Sequence, residues 1–263
     1  MTDRMKKVAK YVLIGVCGAL LAAVLVLSCL AGKEARKGLV CKGVEIVILD
    51  SMENSFVSEA DIKKYLDKEF GGYIGRSLDS LDLVKAEKII DGRSAVKKSH
   101  AFVTRDSLLR INVTQRRPVV RFQKSDGGFY ADAEGFIFPL QSSYASHVQI
   151  VDGAIPLAAN SGYKGALTDP DEKDWLAKMM KVVNYIENSR TWKDKIVQIS
   201  VEKSGELILV PREGKQRFYF GQPVGVEDKF RKMEMYYTHI VPEKGADAYS
   251  RVDVRYDGQI VCR

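Results

Sequence analysis

The feature that most constrains this chain of 263 residues is an unbroken run of 22 residues, 11–32, that carries no charged side chain. As a helix this run would be about 33 Å long, which is enough to cross a hydrocarbon core of about 30 Å. A single segment in lipid must pair all its backbone polar groups internally, and only a helix does this. We therefore expect an amino-terminal segment at 1–10, a transmembrane helix at 11–32, and a body at 33–263 held on one side of a membrane.

The positive charge of the chain is concentrated beside this run. The net charge is +7, but residues 1–42 hold eight Lys/Arg and two Asp/Glu, whereas residues 43–263 hold 33 basic and 32 acidic residues. A surface that binds nucleic acid needs a local excess of positive charge to displace counterions. We therefore expect no nucleic-acid partner, and we assign the basic residues to the flanks of the membrane segment.

The orientation of the span follows from the short segment that precedes it, residues 1–10. Four basic residues precede the run and four follow it, so the positive-inside count is balanced. A ten-residue segment before the span is typical of an uncleaved signal anchor, and we expect the amino terminus to be cytoplasmic.

Two alternatives that involve cysteines remain open. Residues 26–29 resemble a bacterial lipobox, in which Cys29 would be lipidated and anchor a periplasmic hydrolase, and Cys41 could pair with Cys262.

The residues after a charged linker at 33–39 predict a compact α+β domain at 40–117. Apolar residues alternate at Val44, Ile46 and Ile48, which is typical of a strand. The sequence at 58–61 (SEAD) begins a helix in N-cap style. The expected order is β-α-α-β-β. The predicted elements are a strand at 40–49, helices at 58–70 and 80–91, and a hairpin of strands at 96–104 and 108–115.

From Pro118 onward the pattern is mostly strand, and it predicts a β-rich domain at 118–263 with an extended sheet and flanking helices. The sequences at 126–128 (DGG) and 133–135 (AEG) are strong turn signals. The predicted strands lie at 119–123, 129–132, 136–140, 147–151, 196–203, 206–211, 216–220, 249–256 and 259–262. The predicted helices lie at 171–188, with Thr168 as its cap, and at 225–241.

The strand predicted at 249–256 is the candidate partner-binding site. We expect it to be an open sheet edge, whose unpaired N–H and C=O groups can bind another extended chain. One row of side chains would face the core and the charged row would meet the partner; the alternative is an ordinary strand with a solvated charged face. The candidate partner-binding residues are Tyr249, Arg251, Val252, Asp253, Val254, Arg255, Tyr256, Gly258, Ile260 and Val261.

Known catalytic patterns are missing from the sequence. There is no G-x-S-x-G and no P-loop, and the histidines lack metal-ligand spacing. Asp132 and Glu134 flank a turn, where we expect a cap or a solvated carboxylate rather than an acid/base pair. Arg116 and Arg117 are more typical of a solvated domain joint than of a phosphate or lipid-headgroup site. We expect no enzyme, no cofactor and no metal. The histidines are His100, His147 and His239.

Three segments occur in the order found in one known family. Residues 113–121 read VTQRRPVVR, residues 130–138 read YADAEGFIF with the pattern D-x-x-G-x-x-F, and residues 252–256 read VDVRY ahead of Gly258. Their order and sequences, together with a POTRA-like order of elements directly after one span, resemble the FtsQ/DivIB family of bacterial cell-division proteins. The resemblance covers about residues 5–262.

The resemblance implies a single-pass inner-membrane scaffold at the division septum, with its domains in the periplasm. It implies FtsB-like and FtsL-like single-span partners, with FtsB held by the end of the β domain, and further division contacts through the POTRA domain. Such a scaffold links early and late division proteins during septal wall synthesis. Many relatives continue past the last strand with a Trp, so we expect the anchoring side chains here to differ. The alternative is a POTRA-bearing envelope chaperone or translocation component.

Overall fold

The computed structural model shows a helix, α1, at residues 15–28. Among the residues that the structure describes, no helix combines the length and apolarity needed to cross a membrane. The structure describes residues 13, 15–28, 38–52, 55–142 and 144–263. Several predicted segments lie outside the described residues. These are the segment 1–10, residues 11, 12, 14 and 29–32 of the span, which include Cys29, and residues 33–37 of the linker.

The chain divides into two compact units, each made of several stretches. The first unit consists of the described residues up to Val47, with Glu59–Ile90 and Ser99–Val113. The second consists of Ile48–Ser58, Asp91–Lys98 and Thr114–Arg263. The domain boundary between residues 117 and 118 stays a prediction.

The first unit contains the expected order β-α-α-β-β. A three-stranded sheet has the strand order β1-β3-β2, and the two helices bury Ile62, Leu66, Ala86 and Ile90. The alternating face of β3 buries Leu109, Ile111 and Val113 completely. The elements are β1 (Gly43–Ile48), α2 (Glu59–Glu69), α3 (Leu83–Asp91), β2 (Val96–Val103) and β3 (Leu108–Gln115).

Helix α3 begins three residues later than the pattern predicts. The residues Leu78–Ser80 form a separate 3-10 turn. Asp82 then takes the capping position, because its carboxylate accepts a hydrogen bond from the N–H of Lys85 at 2.9 Å. A carboxylate that satisfies an otherwise free N–H fixes the first turn of a helix.

The second unit is built on one mixed sheet of ten strands. Its order is β13-β12-β11-β10-β9-β7-β4-β5-β6-β8. The predicted meander over 196–220 is found as β9, β10 and β11. The sequence did not predict the two-residue strand β8, because two residues are too few to show an alternation of apolar and polar side chains. The strands are β4 (Pro118–Phe122), β5 (Phe129–Asp132), β6 (Phe136–Pro139), β7 (Gln149–Gly153), β8 (Gly165–Ala166), β9 (Ile196–Val201), β10 (Leu207–Pro211), β11 (Arg217–Gly221), β12 (Arg251–Asp253) and β13 (Val261–Cys262).

Two helices share a hydrophobic core with this sheet. From α4 (Pro170–Asn188), Met179 and Val183 enter the same buried cluster as Phe230 of α5 (Val226–Met235). The strands contribute Ile199, Leu209, Phe218 and Val252 to that cluster, and all four are completely buried. The α+β class predicted from the sequence is therefore found in both units.

The helix predicted at 225–241 is interrupted. A π-helical turn, Tyr236–Ile240, follows α5, and a short helix α6 (Val241–Lys244) follows the turn. Pro242 has no N–H to donate, so the regular i to i−4 ladder cannot continue through it. A widened turn directly before the proline accommodates this break.

The cap of α4 is Asp169, so the prediction of Thr168 was wrong. The Asp169 carboxylate accepts hydrogen bonds from the N–H groups of Asp171 (2.9 Å) and Glu172 (3.0 Å). An aspartate fits this place because its side chain satisfies two N–H groups that have no partner within the helix.

Replacing the cap is the first test of this fold. We expect Asp169→Ala to lower the free energy of unfolding by about 1 kcal/mol, because two helix N–H groups lose their acceptor. Urea unfolding followed by the fluorescence of Trp175 and Trp192, which both lie in the second unit, measures the change. The control is Thr168→Ala. An equal loss in the control would contradict the assignment of the cap.

Candidate partner-binding edge

The strand predicted as an open edge is not at the edge. Strand β12 pairs in parallel with β11 on one side and antiparallel with β13 on the other. It also covers only Arg251–Asp253, rather than 249–256. The prediction of an open edge at 249–256 was therefore wrong, because the chain turns back at Tyr256–Gly258 and adds one more strand. Gly258 has a φ of 67° in that turn, a conformation that favours glycine.

Strand β13 is the edge strand at this end of the ten-stranded sheet, and β8 is the edge strand at its other end. Arg251 and Arg263 exchange both of their main-chain hydrogen bonds, each 2.9 Å long. In an antiparallel pair, successive residues direct their N–H and C=O groups alternately toward and away from the neighbouring strand. The N–H and C=O of Cys262 therefore point outward, where an added strand can bind them.

The predicted apolar row is divided between the core and the solvent. Val252 and Val254 are completely buried, as expected, and the N–H of Val254 donates to the Tyr219 carbonyl at 3.2 Å. Tyr256 is 46% exposed and does not continue the buried row. Tyr249 and Ile260 are half-buried against the core. Binding through any of these residues stays a prediction.

The charged row forms an internal network. Asp253 is buried, and Arg255 donates to its two carboxylate oxygens at 2.9 and 2.6 Å and to Glu206 at 2.8 Å. Arg251 donates to Asp253 at 3.3 Å, and its guanidinium lies 3.6 Å from the centre of the Tyr219 ring. The expectation that the whole row is directed at a partner was therefore wrong for Asp253.

The network controls the ionisation of Asp253. Burial alone would raise the pKa of this carboxyl, but hydrogen bonds from Arg255 and Arg251 outweigh burial and hold the pKa below its usual range. The hydrogen bonds to Asp253 likewise raise the pKa of Arg255. Both groups stay charged at neutral pH, so the network connects the end of β12 to Glu206, the residue before β10.

The lowered pKa predicts a loss of stability in acid. An unfolded aspartate has a pKa of about 3.9, so the Asp253 carboxylate stabilises the fold above about pH 4, and this contribution disappears as the pH falls through the folded-state pKa. We expect Asp253→Asn to be less stable than wild type at about pH 7, and the difference in unfolding free energy to shrink at about pH 3. Urea titrations at both pH values test this. The control is Asp257→Asn in the adjoining turn, and a deficit independent of pH would contradict the prediction.

Two residues of this region were missed from the sequence, Glu206 and Lys232. The ammonium of Lys232 donates to the Tyr256 carbonyl at 2.7 Å. Glu206 and Lys232 lie 49 and 24 residues away from the residues that they bind. No local pattern connects positions so far apart.

The hairpin pattern D-x-x-G-x-x-F has a structural explanation. One oxygen of the buried Asp132 accepts hydrogen bonds from the N–H groups of Glu134 (3.1 Å) and Phe136 (2.9 Å). Its other oxygen accepts from Arg116 at 2.7 Å. Gly135 has a φ of 76°, which a glycine adopts without strain. Asp132 is therefore a turn cap, as expected, and both of its carboxylate oxygens accept hydrogen bonds.

The joint at Arg116 and Arg117 differs from the prediction. The Arg116 side chain is 13% exposed and its guanidinium also lies 3.4 Å from the centre of the Phe136 ring. Arg116 is therefore structural, and it is neither solvated nor a free anion site. The Arg117 side chain is 59% exposed.

Glu134 pairs with Lys97 on the surface, and this hydrogen bond lowers the pKa of Glu134.

No group of three or more His, Cys, Asp or Glu side chains able to hold a metal ion occurs among the described residues. Cys17, Cys41 and Cys262 are free thiols, so the alternative of a Cys41–Cys262 disulfide is wrong.

Comparison with known families identifies the second unit. A family model described as "FtsQ/DivIB, C-terminal related" matches residues 117–263, which is more than half of the chain. The chain belongs to the FtsQ/DivIB family. A model of a POTRA-like domain matches residues 39–114. A search of curated proteins finds no match.

The two family matches place this FtsQ/DivIB-family chain in a functional class. Its domains are those of a cell-division protein that acts at the septum, and such domains are scaffolds for interactions with other division proteins. The open edge β13 and the network beside it lie within the residues that the FtsQ/DivIB model matches.

Proposed function

We propose that this protein is a divisome scaffold that binds the strand of an FtsB-like partner at β13, together with an FtsL-like protein. The observation that carries the proposal is the open main chain of Cys262 at the edge of a ten-stranded sheet. An added strand gains main-chain hydrogen bonds there and extends the existing sheet. The site of contact is thus one strand later than 249–256, and Tyr256 is the exposed aromatic side chain next to it.

We also propose that residues 11–32 anchor the protein in the inner membrane, with residues 1–10 in the cytoplasm and the two units in the periplasm. The uncharged run and the basic residues on both of its sides support this anchor. Within α1, the side chains of Leu21 and Leu25 are about two-thirds exposed, at 66% and 65%, which suits contact with lipid. The POTRA-like domain would make further division contacts at the septum.

The proposal is tested in dividing cells of the source bacterium. A fluorescent fusion of the full chain is expected to form a midcell band, and its depletion is expected to produce filaments. The FtsB-like and FtsL-like proteins should co-purify with the full chain. A fusion spread evenly around the envelope would contradict the proposal and favour an envelope chaperone or translocation component. Intact mass tests the lipid alternative, because unmodified full length excludes lipidation of Cys29.

A further inference from the structure

Strand β13 is short. It consists of Val261 and Cys262, and its ladder with β12 has two residue pairs, which Arg263 extends with main-chain hydrogen bonds to Ser250 and Arg251. Even a complete two-stranded hairpin is marginally stable in water. An edge that receives a partner strand in one register therefore needs an additional constraint on the turn that leads into it.

Lys232 of α5 supplies such a constraint. This lysine is only 6% exposed, which is unusual for a lysine. Its ammonium donates to the carbonyl of Tyr256 at 2.7 Å and lies 2.7 Å from a carboxylate oxygen of Asp228. Tyr256 begins the turn between β12 and β13. A charge-assisted hydrogen bond from a buried ammonium thus connects α5 to the start of that turn.

The residue just before this turn, Arg255, is held as well. Its guanidinium bridges Asp253 and Glu206, so it fixes the end of β12. The Arg255 side chain thus holds position 255, and Lys232 holds the carbonyl of the next residue, Tyr256. Without Lys232, the chain from Tyr256 to Val261 is held only from outside its own turn, by the Arg255 side chain before it and by the β13 ladder with the Arg263 bonds after it.

We propose that Lys232 is a positioning residue for partner binding, which holds β13 in the geometry that an incoming strand needs. The inference rests on the proposed function of β13 as the docking edge. A strand that binds a preformed edge does not have to order it, so pre-organisation strengthens binding. Lys232 touches no partner in this mechanism and acts through the Tyr256 carbonyl.

Lys229 offers a matched control on the same helix. Its ammonium donates to the carbonyl of Gln222 at 2.7 Å, in the loop before α5. Lys229→Met and Lys232→Met therefore each remove one ammonium-to-carbonyl hydrogen bond and keep the length of the side chain, and Lys232→Met also removes the ion pair with Asp228. Only Lys232→Met releases the turn that leads to β13.

The test uses the full chain purified with the FtsB-like protein of the same bacterium. We expect Lys232→Met to raise the dissociation constant about tenfold. This is the change in affinity that corresponds to the loss of one hydrogen bond to a charged group. Lys229→Met should bind like wild type. In the partner-free protein, Lys232→Met should speed amide hydrogen exchange at residues 257–263 while β9 and β10 keep their protection. Lys232→Arg, which keeps a cationic donor, should recover most of the binding.

The outcomes separate the inference from the proposed function. Equal binding and equal exchange at 257–263 for Lys232→Met and Lys229→Met overturn the inference and leave the docking edge in place. Equal loss of protection throughout the sheet in Lys232→Met also overturns it, because the lysine would then support the fold as a whole. Failure of the wild-type chain to bind the FtsB-like protein overturns the proposed function and the inference with it.

Discussion

Replacing Asp132 with alanine is expected to lower the free energy of unfolding of the second unit by about 3–5 kcal/mol, the cost of breaking a buried ion pair. The substitution leaves the guanidinium of Arg116 without its carboxylate in a site where the Arg116 side chain is 13% exposed. It also removes the acceptor of the Glu134 and Phe136 N–H groups. Urea unfolding followed by the fluorescence of Trp175 and Trp192 measures the change.

The matched control for Asp132→Ala lies two residues away in the same turn. Glu134 pairs with Lys97, and both side chains are about half exposed, at 59% and 47%. A surface ion pair contributes about 0–1 kcal/mol, so Glu134→Ala should have a small effect. Asp132→Asn keeps an acceptor for the two N–H groups and should lie between the two variants. If Asp132→Ala costs no more than Glu134→Ala, the hairpin does not depend on the buried pair.

The elements that the sequence predicted well are those with a local pattern. The turn signals at 126–128 and 133–135 placed β5 at the observed bounds, and helical spacing placed α4 within one residue of them. A strand or helix that buries one face repeats its apolar residues at a fixed interval, which a single segment shows by itself. The order β-α-α-β-β of the first unit was therefore predictable.

The arrangement of strands in the second unit was less predictable. Strand β12 lies parallel to β11, with α5 in the crossover that a parallel pair requires, and β4 pairs with β7 rather than with a neighbour in sequence on that side. Pairing partners are chosen by packing across the whole sheet, which no single segment encodes. This is why the sequence indicated a terminal binding strand but placed the open edge one strand too early.

The contacts that fix the site depend on residues far apart in the chain. Lys232 and Glu206 look like ordinary charged residues of a helix and a strand end. Lys232 is buried because the turn after β12 returns beside α5 and presents the Tyr256 carbonyl to its ammonium. Charge alone predicts solvent exposure for such residues, so their role follows only from the folded structure.

Replacing Cys262 with proline is expected to weaken binding of the FtsB-like partner about a hundredfold or more. Proline removes the outward N–H of β13 and puts a ring where the partner strand would lie; a hundredfold change corresponds to about 2.7 kcal/mol. The fold should survive, because the main-chain groups of Cys262 point away from β12, and Arg263, the next residue, exchanges main-chain hydrogen bonds with Arg251. Val254→Pro would be a poor substitute, since Val254 is buried and its N–H donates to Tyr219. Co-purification and a binding titration with the partner measure the change.

The control for this last substitution is Cys262→Val, which keeps the N–H and suits a strand. Because the thiol of Cys262 is free, its loss removes no covalent bond, and Cys262→Val should bind like wild type. A difference between the two variants therefore reports the main-chain N–H and the space beside it rather than the thiol. Should Cys262→Pro bind as tightly as Cys262→Val while both remain folded, the partner does not add to the sheet at β13. The contact would then have to lie on side chains such as Tyr256 instead.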